Sequence, residues 1–288
     1  MDIFLAMRPR HWVKNLLVLV APLGAASLTP NNGGEILGAL LGLSLTASAT
    51  YLVNDVLDRD KDRAHPHKQH RAIAAGRVRP SVALAIAGVL LAAAGIVSWL
   101  VSPAFLAVVA TYLVATVLYS FWLKTAAAID IVMLALFFVI RIVAGGIAVE
   151  VAVSSWLLAT SFFAFLSIAA AKRVIELKTM GPSSDEVFVG GRGYLASDHD
   201  VVLTAGVGSG IVSASLLGLY LESGASNLSL EVPQLLWLSI PLWIYWLLRF
   251  WLLVSRDRVN HDPVEFLLKD WVSYLTAVAM VALVYLAQ

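Results

Sequence analysis

The chain has 288 residues, a formal net charge of +1 and 14% charged residues, whereas soluble globular domains carry about 25%. Its mean hydropathy is +0.84, and apolar runs recur that approach the roughly 20 residues needed to span a bilayer as a helix. The absence of cysteine excludes disulfides, iron–sulfur clusters and thiol catalysis. The composition therefore predicts an all-α integral membrane protein, and nothing in it indicates a nucleic-acid partner.

Nine apolar segments are predicted to cross the membrane as helices. They cover residues 13–29, 36–53, 82–101, 104–122, 128–148, 154–171, 201–221, 233–253 and 271–287. Apart from Arg141 inside a span, the Lys and Arg residues lie in or beside the N-terminal segment and alternate connections. The positive-inside rule places these connections in the cytoplasm, with the N-terminus inside and the C-terminus outside. We therefore expect a multi-pass protein of the cell (inner) membrane.

Two of the inward connections, 54–81 and 172–200, are long and polar. Each follows an even-numbered span, four spans apart, which suggests two similar four-helix halves and a ninth helix in one transmembrane domain over 1–288. Membrane folds built from repeats place their sites at the repeat interface. We expect nine helices around a central cavity, with both loops facing it from the cytoplasmic side.

The first long loop belongs to the stretch YLVNDVLDRDKDRAHPHKQHRAIAAG, residues 51–76. Asn54, Asp55, Asp58 and Asp62 have the spacing that stacks side chains on one face of a helix. Mg²⁺ is typically bound through one or two carboxylates plus substrate phosphates. We predict a Mg²⁺–diphosphate site with these four residues as metal ligands and the three aspartates as catalytic residues. A loop that only sets topology is disfavoured, because Asp contributes little to the positive-inside rule.

Basic side chains suited to phosphate oxygens follow the aspartates. They are Arg63, His65, His67, Lys68, His70 and Arg71. Arg141 is a further phosphate candidate, because ionisable residues deep in a span tend to be functional. Its alternative is a structural pair with Asp130 or a neighbouring helix, although eleven residues of helix separate the two by about 16 Å.

Two other charged stretches are interpreted as structural. An interfacial anchor is predicted for Arg8, Arg10 and Trp12. In the last inward loop, His261, Asp262 and Glu265 have metal-binding side chains, but their spacing is not that of a metal site. A short surface helix starting at Pro263, with Glu265 and Lys269 paired at i, i+4, is favoured there.

The stretch NDVLDRDKD matches N-D-x-x-D-x-x-x-D, and in this it resembles the UbiA superfamily of intramembrane prenyltransferases. The resemblance covers the whole chain. It implies nine transmembrane helices, a cytoplasmic N-terminus and a Mg²⁺-dependent site between two polar loops.

Within that superfamily, several stretches resemble the decaprenyl-phosphate phosphoribosyltransferase branch. They are MRPRHWVKNLLVLVAPL, the 51–76 stretch, IRIVAGGIAV and AAKRVIELKTM. The branch implies transfer of phosphoribose from phosphoribosyl diphosphate (PRPP) to a polyprenyl (decaprenyl) phosphate, as in arabinan precursor synthesis for the cell wall. It also implies Lys14 as an inward-pointing phosphate ligand. Where the branch reads K-x-x-R-P-I-A-A-G, this chain keeps Lys68 and Arg71 but has Ala72 in place of proline.

The second loop discriminates between the activities of the superfamily. Members that use prenyl diphosphates carry D-x-x-x-D at its start, where this chain has KRVIE. Lys172, Arg173 and Glu176 suit phosphate oxygens or ribose hydroxyls, so they favour phosphoribosyl transfer. The alternative is prenyl transfer from a polyprenyl diphosphate to an aromatic or quinone-precursor acceptor such as 4-hydroxybenzoate. A transporter or lipid-binding scaffold is disfavoured because the polar groups concentrate in loops, and homo-oligomerisation is left open.

Overall fold

The structure is a computed structural model. It describes residues 2–25, 27–64, 68–178, 193–223, 231–259 and 262–287. Within these ranges the regular secondary structure is helical and contains no strand, which confirms the all-α prediction. Seven of its helices are long and apolar enough to cross a membrane, and they correspond to seven of the nine predicted spans.

The chain divides into two compact units. The first unit comprises Met1–Phe121 and Ile140–Ala152. Its helices are α1 (Asp2–Ala6), α2 (Val20–Gly24), α3 (Gly33–Leu57), α4 (Arg59–Ala64), α5 (Pro80–Val101), α6 (Pro103–Phe121) and the second part of α7 (Ile129–Ala148). Short 3₁₀ helices at Pro9–Leu19 and Pro30–Asn32 precede α2 and α3. The single domain over 1–288 stays a prediction.

The second unit comprises Trp122–Val139 and Val153–Gln288. Besides the first part of α7, its helices are α8 (Ser155–Lys178), α9 (His199–Glu222), α10 (Ser239–Ser255), α11 (Pro263–Leu267) and α12 (Trp271–Ala287). Three 3₁₀ helices, Leu123–Thr125, Ala196–Asp198 and Pro233–Leu238, precede α7, α9 and α10. Helix α11 begins at Pro263 as predicted, and Lys269 Nζ donates to Glu265 Oε1 at 2.7 Å.

The first and last predicted spans differ from the other seven. The first is a 3₁₀ helix, Pro9–Leu19, followed by α2, rather than one α-helix. It packs closely on α7: a Cβ at Gly145 would lie 1.9 Å from the Val18 carbonyl oxygen, so only glycine permits this approach. The last span is α12, with 17 residues. The count of nine spans and the orientation of the termini remain predictions.

Small residues set the helix packing in the second unit, as is usual where helices meet in membranes. Helix α9 packs on α8, and a Cβ at Gly206 would lie 2.5 Å from the Trp251 ring. The Trp251 indole in turn donates to Ser167 Oγ at 3.0 Å. These contacts fix the α8 backbone, which carries the second group of predicted site residues.

Candidate functional site

The aspartate motif lies where α3 passes into α4. The Asp58 amide donates to the Asn54 carbonyl at 2.8 Å, and the Asp62 amide donates to the Asp58 carbonyl at 2.8 Å. The i, i+4 spacing therefore continues through the junction between the two helices. Asp55 and Asp62 are buried, Asn54 and Asp58 are half-buried, and Asp60 is exposed.

Two arginines neutralise the buried aspartates. Arg71 Nη1 donates to Asp62 Oδ2 at 2.7 Å and to Asp55 Oδ1 at 3.2 Å, so it bridges the two carboxylates. Arg8 Nη2 donates to the same Asp55 Oδ1 at 2.6 Å. Two of the predicted metal ligands and one predicted phosphate ligand therefore lie in one cluster, which we call the Asp55–Asp62 cluster (Arg8, Asp55, Asp62 and Arg71).

The free oxygens of this cluster fit a divalent cation. Asp55 Oδ2 and Asp62 Oδ1 receive no hydrogen bond from any residue in the described ranges. Within those ranges no three acidic or histidine side chains come together as a metal-ligand group. Mg²⁺, however, is usually bound by one or two carboxylates, with substrate phosphates completing its shell. Asp55 and Asp62, which the Arg71 guanidinium bridges, supply two such carboxylates.

Arg8 belongs to this cluster and not only to an interfacial anchor. Its backbone is left-handed, with φ 54°, and its guanidinium stacks on the Tyr51 ring at 4.7 Å. The neighbouring Trp12 indole donates to Ser48 Oγ at 2.9 Å, and Ser48 Oγ donates to the Met7 carbonyl at 3.1 Å. Sequence analysis missed this role, because the Arg8–Asp55 contact joins residues 47 positions apart.

A second buried polar group of the first unit surrounds Arg141. Arg141 Nε donates to Asn15 Oδ1 at 2.9 Å, and Nη2 donates to the Tyr112 hydroxyl at 2.9 Å. Asn15 Nδ2 donates in turn to Ser44 Oγ at 2.9 Å. These hydrogen bonds run to neighbouring helices, which the structural alternative also named, and the phosphate role of Arg141 stays a prediction. Arg141 is held by uncharged groups of α6 and of the Pro9–Leu19 helix.

The second unit contains its own buried ion network. Arg173 donates to both carboxylate oxygens of Asp130, with Nη2 3.1 Å from Oδ1, and its Nη1 donates to Glu176 Oε2. Arg173 is 1% exposed and Asp130 is 0% exposed. All three guanidinium nitrogens therefore have carboxylate partners. Sequence spacing did not indicate the contact with Asp130, which lies 43 positions away. Lys172 is half-buried, and residues 179–192 of this loop lie outside the described residues.

The remaining predicted phosphate ligands have varied surroundings. Arg63 Nε donates to the Ala74 carbonyl at 2.9 Å and so ties α4 to the loop that follows it. Lys68 and His70 are exposed, and Lys14 is half-buried. His65 and His67, like His261, lie outside the described residues.

An apolar cleft lies between α3, α5 and α6 and includes Asn54 in its wall. Its apolar lining includes Val53, Leu91 and Val117. The hydroxyls in the wall belong to Thr50, Thr116 and Ser120, and each donates to a carbonyl of its own helix. The cleft is therefore apolar despite these residues, and Asn54 is the residue of the aspartate motif that lines it.

Comparison with known proteins is decisive for the family. The UbiA prenyltransferase family model matches residues 15–273. The chain belongs to the UbiA prenyltransferase family. This confirms the resemblance read from the motif, and the chain is a multi-pass membrane transferase of the UbiA type.

Individual UbiA relatives support a narrower comparison. The decaprenyl-phosphate phosphoribosyltransferase of Mycolicibacterium smegmatis is 31% identical over 287 residues, covering 96% of this chain and 89% of its own length. Its Mycobacterium tuberculosis counterpart is 41% identical over 182 residues, covering 60% and 59%. A solved UbiA homolog from Archaeoglobus fulgidus, bound to DMAPP and Mg²⁺, superposes with a TM-score of 0.74, 16% identity and 99% coverage of both chains. At that identity the likeness to the Archaeoglobus fulgidus homolog supports the fold alone.

Proposed function

We propose that this UbiA protein transfers 5-phosphoribose from phosphoribosyl diphosphate to a polyprenyl phosphate in a Mg²⁺-dependent reaction that releases diphosphate. The observation that carries the proposal is the 31% identity, over 96% of this chain, with the M. smegmatis enzyme named for that acceptor and group. The reaction takes place at the cytoplasmic face of the cell (inner) membrane, where the positive-inside rule puts the aspartate motif.

The donor's diphosphate is assigned to the Asp55–Asp62 cluster. Asp55 and Asp62, with Asn54 and Asp58 beside them, would hold the cation through their oxygens. Bound Mg²⁺ neutralises charge on the diphosphate leaving group. Arg71 already lies between the two carboxylates. A guanidinium at that place can donate to phosphate oxygens in paired hydrogen bonds, and Arg63 and Lys68 follow on the same loop.

The chemical step needs no strong base from the chain. A phosphate oxygen of the lipid attacks C1 of the ribose, the C1–O bond to diphosphate breaks, and diphosphate leaves with the electron pair. The second pKa of a phosphate monoester is about 6, so the lipid phosphate is already anionic near neutral pH. The chain contributes by aligning donor and acceptor and by stabilising charge on the leaving group.

The acceptor is assigned to the buried polar group and the apolar cleft of the first unit. The cleft between α3, α5 and α6 suits an isoprenoid chain and reaches Asn54. Arg141, held by Asn15 and Tyr112, is proposed as a phosphate contact, together with Lys14. A buried, pre-oriented guanidinium loses little entropy on binding a phosphate.

The second loop favours phosphoribosyl over prenyl transfer. A second Mg²⁺ site would need carboxylate oxygens that can take a metal, but Arg173 donates to both oxygens of Asp130. In the Asp55–Asp62 cluster, by contrast, Arg71 bonds only one oxygen of each carboxylate. The predicted phosphate role of Lys172, Arg173 and Glu176 is retained as part of the proposal. In this role Arg173 would orient the Asp130–Glu176 network. Lys172, its neighbour in sequence, would contact the phosphate oxygens.

The proposal is tested with purified protein and Mg²⁺ in two reactions. One contains labelled phosphoribosyl diphosphate and a polyprenyl phosphate, and the other contains a labelled polyprenyl diphosphate and 4-hydroxybenzoate. We expect label in the lipid phase of the first reaction and no prenylated aromatic in the second. A prenylated aromatic, with no transfer in the first reaction, would establish the alternative activity.

A further inference from the structure

The two arginines of the Asp55–Asp62 cluster contact the same atom in different ways. Arg8 and Arg71 both donate to Asp55 Oδ1, at 2.6 Å and 3.2 Å. Arg71 also donates to Asp62 Oδ2, so it bridges the two carboxylates beside the oxygens assigned to the cation. Arg8 makes no hydrogen bond or ion pair with Asp62 among the described residues, so Arg8 does not bridge the two aspartates.

Arg8 is held by groups that do not belong to the motif. Its guanidinium stacks on Tyr51, and the Tyr51 hydroxyl lies 3.2 Å from His11 Nδ1. Its left-handed backbone, at φ 54°, is rare for a residue other than glycine and persists where the surroundings over-determine it. The Trp12–Ser48–Met7 hydrogen bonds supply that constraint. Arg8 therefore has supports that do not involve Asp62 or Arg71.

Arg71 is held by the carboxylates themselves. Within the described residues its guanidinium contacts only Asp55 and Asp62. Its side chain is 31% exposed, while the two carboxylate groups are 5% and 4% exposed. A divalent cation at the free carboxylate oxygens repels this guanidinium, and the phosphates that arrive with the cation attract it.

We propose that Arg8 is a positioning residue that fixes Asp55 through Oδ1 and so presents Oδ2 to the divalent cation. Arg71, in contrast, pairs with the two carboxylates in the absence of ligand and moves to the donor's phosphates when the cation and donor bind. This inference rests on the proposed Mg²⁺–diphosphate site. It assigns opposite effects to the two arginines that donate to Asp55 Oδ1. Loss of the Arg8 hydrogen bond weakens cation binding, and loss of the Arg71 guanidinium strengthens cation binding.

The test is a Mn²⁺ titration followed by electron paramagnetic resonance, on purified protein without donor or lipid phosphate. Mn²⁺ takes the same oxygen ligands as Mg²⁺. We expect Arg8→Lys, which keeps the charge, to raise the Mn²⁺ Kd about tenfold or more, as is typical when a group that orients a metal ligand is lost. Arg71→Gln should lower the Kd. Arg77→Lys is the matched control, since Arg77 pairs with Asp2 at the surface and should leave the Kd unchanged.

A second variant separates positioning from folding. Tyr51→Leu removes the ring under Arg8 and should raise the Mn²⁺ Kd in the same direction as Arg8→Lys, which keeps the inference testable where Arg8→Lys fails to fold. Equal Kd values for wild type and Arg8→Lys, or weaker binding by Arg71→Gln, would overturn the inference. Absence of Mn²⁺ binding in the wild type would overturn it together with the metal part of the proposed function. Mn²⁺ binding without phosphoribosyl transfer would overturn the function alone.

Discussion

Asp62 and Asp60 lie in the same short helix, α4, in opposite surroundings. Asp62 is 3% exposed and bonded to Arg71, whereas the Asp60 side chain is 77% exposed and pairs with Arg59 and Arg63 at the surface. We predict that Asp62→Asn lowers Mg²⁺-dependent transfer by about 100-fold, the upper range for losing a metal-site group. Asp60→Asn should keep near wild-type transfer. Rates of label entry into lipid check both, and equal loss in the two variants would contradict the assignment.

Arg173 has a different kind of importance, because its main effect is on stability. Removing one partner of a buried ion pair leaves an uncompensated charge and costs about 3–5 kcal/mol, and Asp130 is fully buried. We predict that Arg173→Met lowers the free energy of unfolding by that amount. Lys269→Met, which breaks the exposed pair with Glu265, should cost less than about 1 kcal/mol.

Chemical unfolding in detergent, followed by tryptophan fluorescence, measures both variants. Equal stability of Arg173→Met and Lys269→Met would show that the Arg173 network is not structural. In that case the proposed phosphate role would be the remaining role of Arg173.

Helices α10 and α12 are joined through Asp270, which lies just before α12. Arg249 donates two hydrogen bonds to it, at 2.7 Å and 2.8 Å, and Ser273 donates from both its amide and its hydroxyl. Burial raises the pKa of Asp270, but these hydrogen bonds outweigh it and hold the pKa below its ordinary value of 3.8. The ionised carboxylate therefore stabilises the folded state.

The pH dependence follows from the lowered pKa. A carboxyl group whose pKa is depressed by folding contributes its stability above the unfolded pKa and loses it as the pH falls through the folded pKa. We predict that Asp270→Asn costs about 2 kcal/mol at pH 7, as expected for hydrogen bonds to a charged group. The difference from wild type should shrink below pH 3.8. Unfolding curves at pH 7 and pH 3 measure this, and a difference that grows in acid would contradict it.

How far the elements could be predicted depends on the range of the interactions that form them. Hydropathy over some 20 residues located seven spans, because burial in lipid requires long apolar runs. It did not predict the 3₁₀ helix Pro9–Leu19, which depends on close packing of Val18 on Gly145. The aspartate motif was recognisable because its spacing is local. The roles of Arg8 and of the Asp130–Arg173 pair were not, since those contacts join residues 47 and 43 positions apart.

The orientation of the whole molecule in the membrane stays a prediction that the chain makes easy to test. It contains no cysteine, so each introduced thiol reports on one position. Asn31 and Lys61 are both exposed, and they lie beyond the opposite ends of α3. We predict that a membrane-impermeant maleimide labels Asn31→Cys in right-side-out vesicles and Lys61→Cys in inside-out vesicles. The reverse pattern would place the aspartate motif outside.

The central claim, that a phosphoribosyl group moves to a lipid phosphate while diphosphate leaves, is tested most directly with a doubly labelled donor. Phosphoribosyl diphosphate would carry one isotope in its 5-phosphate and another in its diphosphate. It would be incubated with Mg²⁺, polyprenyl phosphate and purified protein. We predict that the 5-phosphate label enters the lipid phase in equal amount to the diphosphate label released into water. Both labels in the lipid, or neither label there while the acceptor lipid is consumed, would contradict the account.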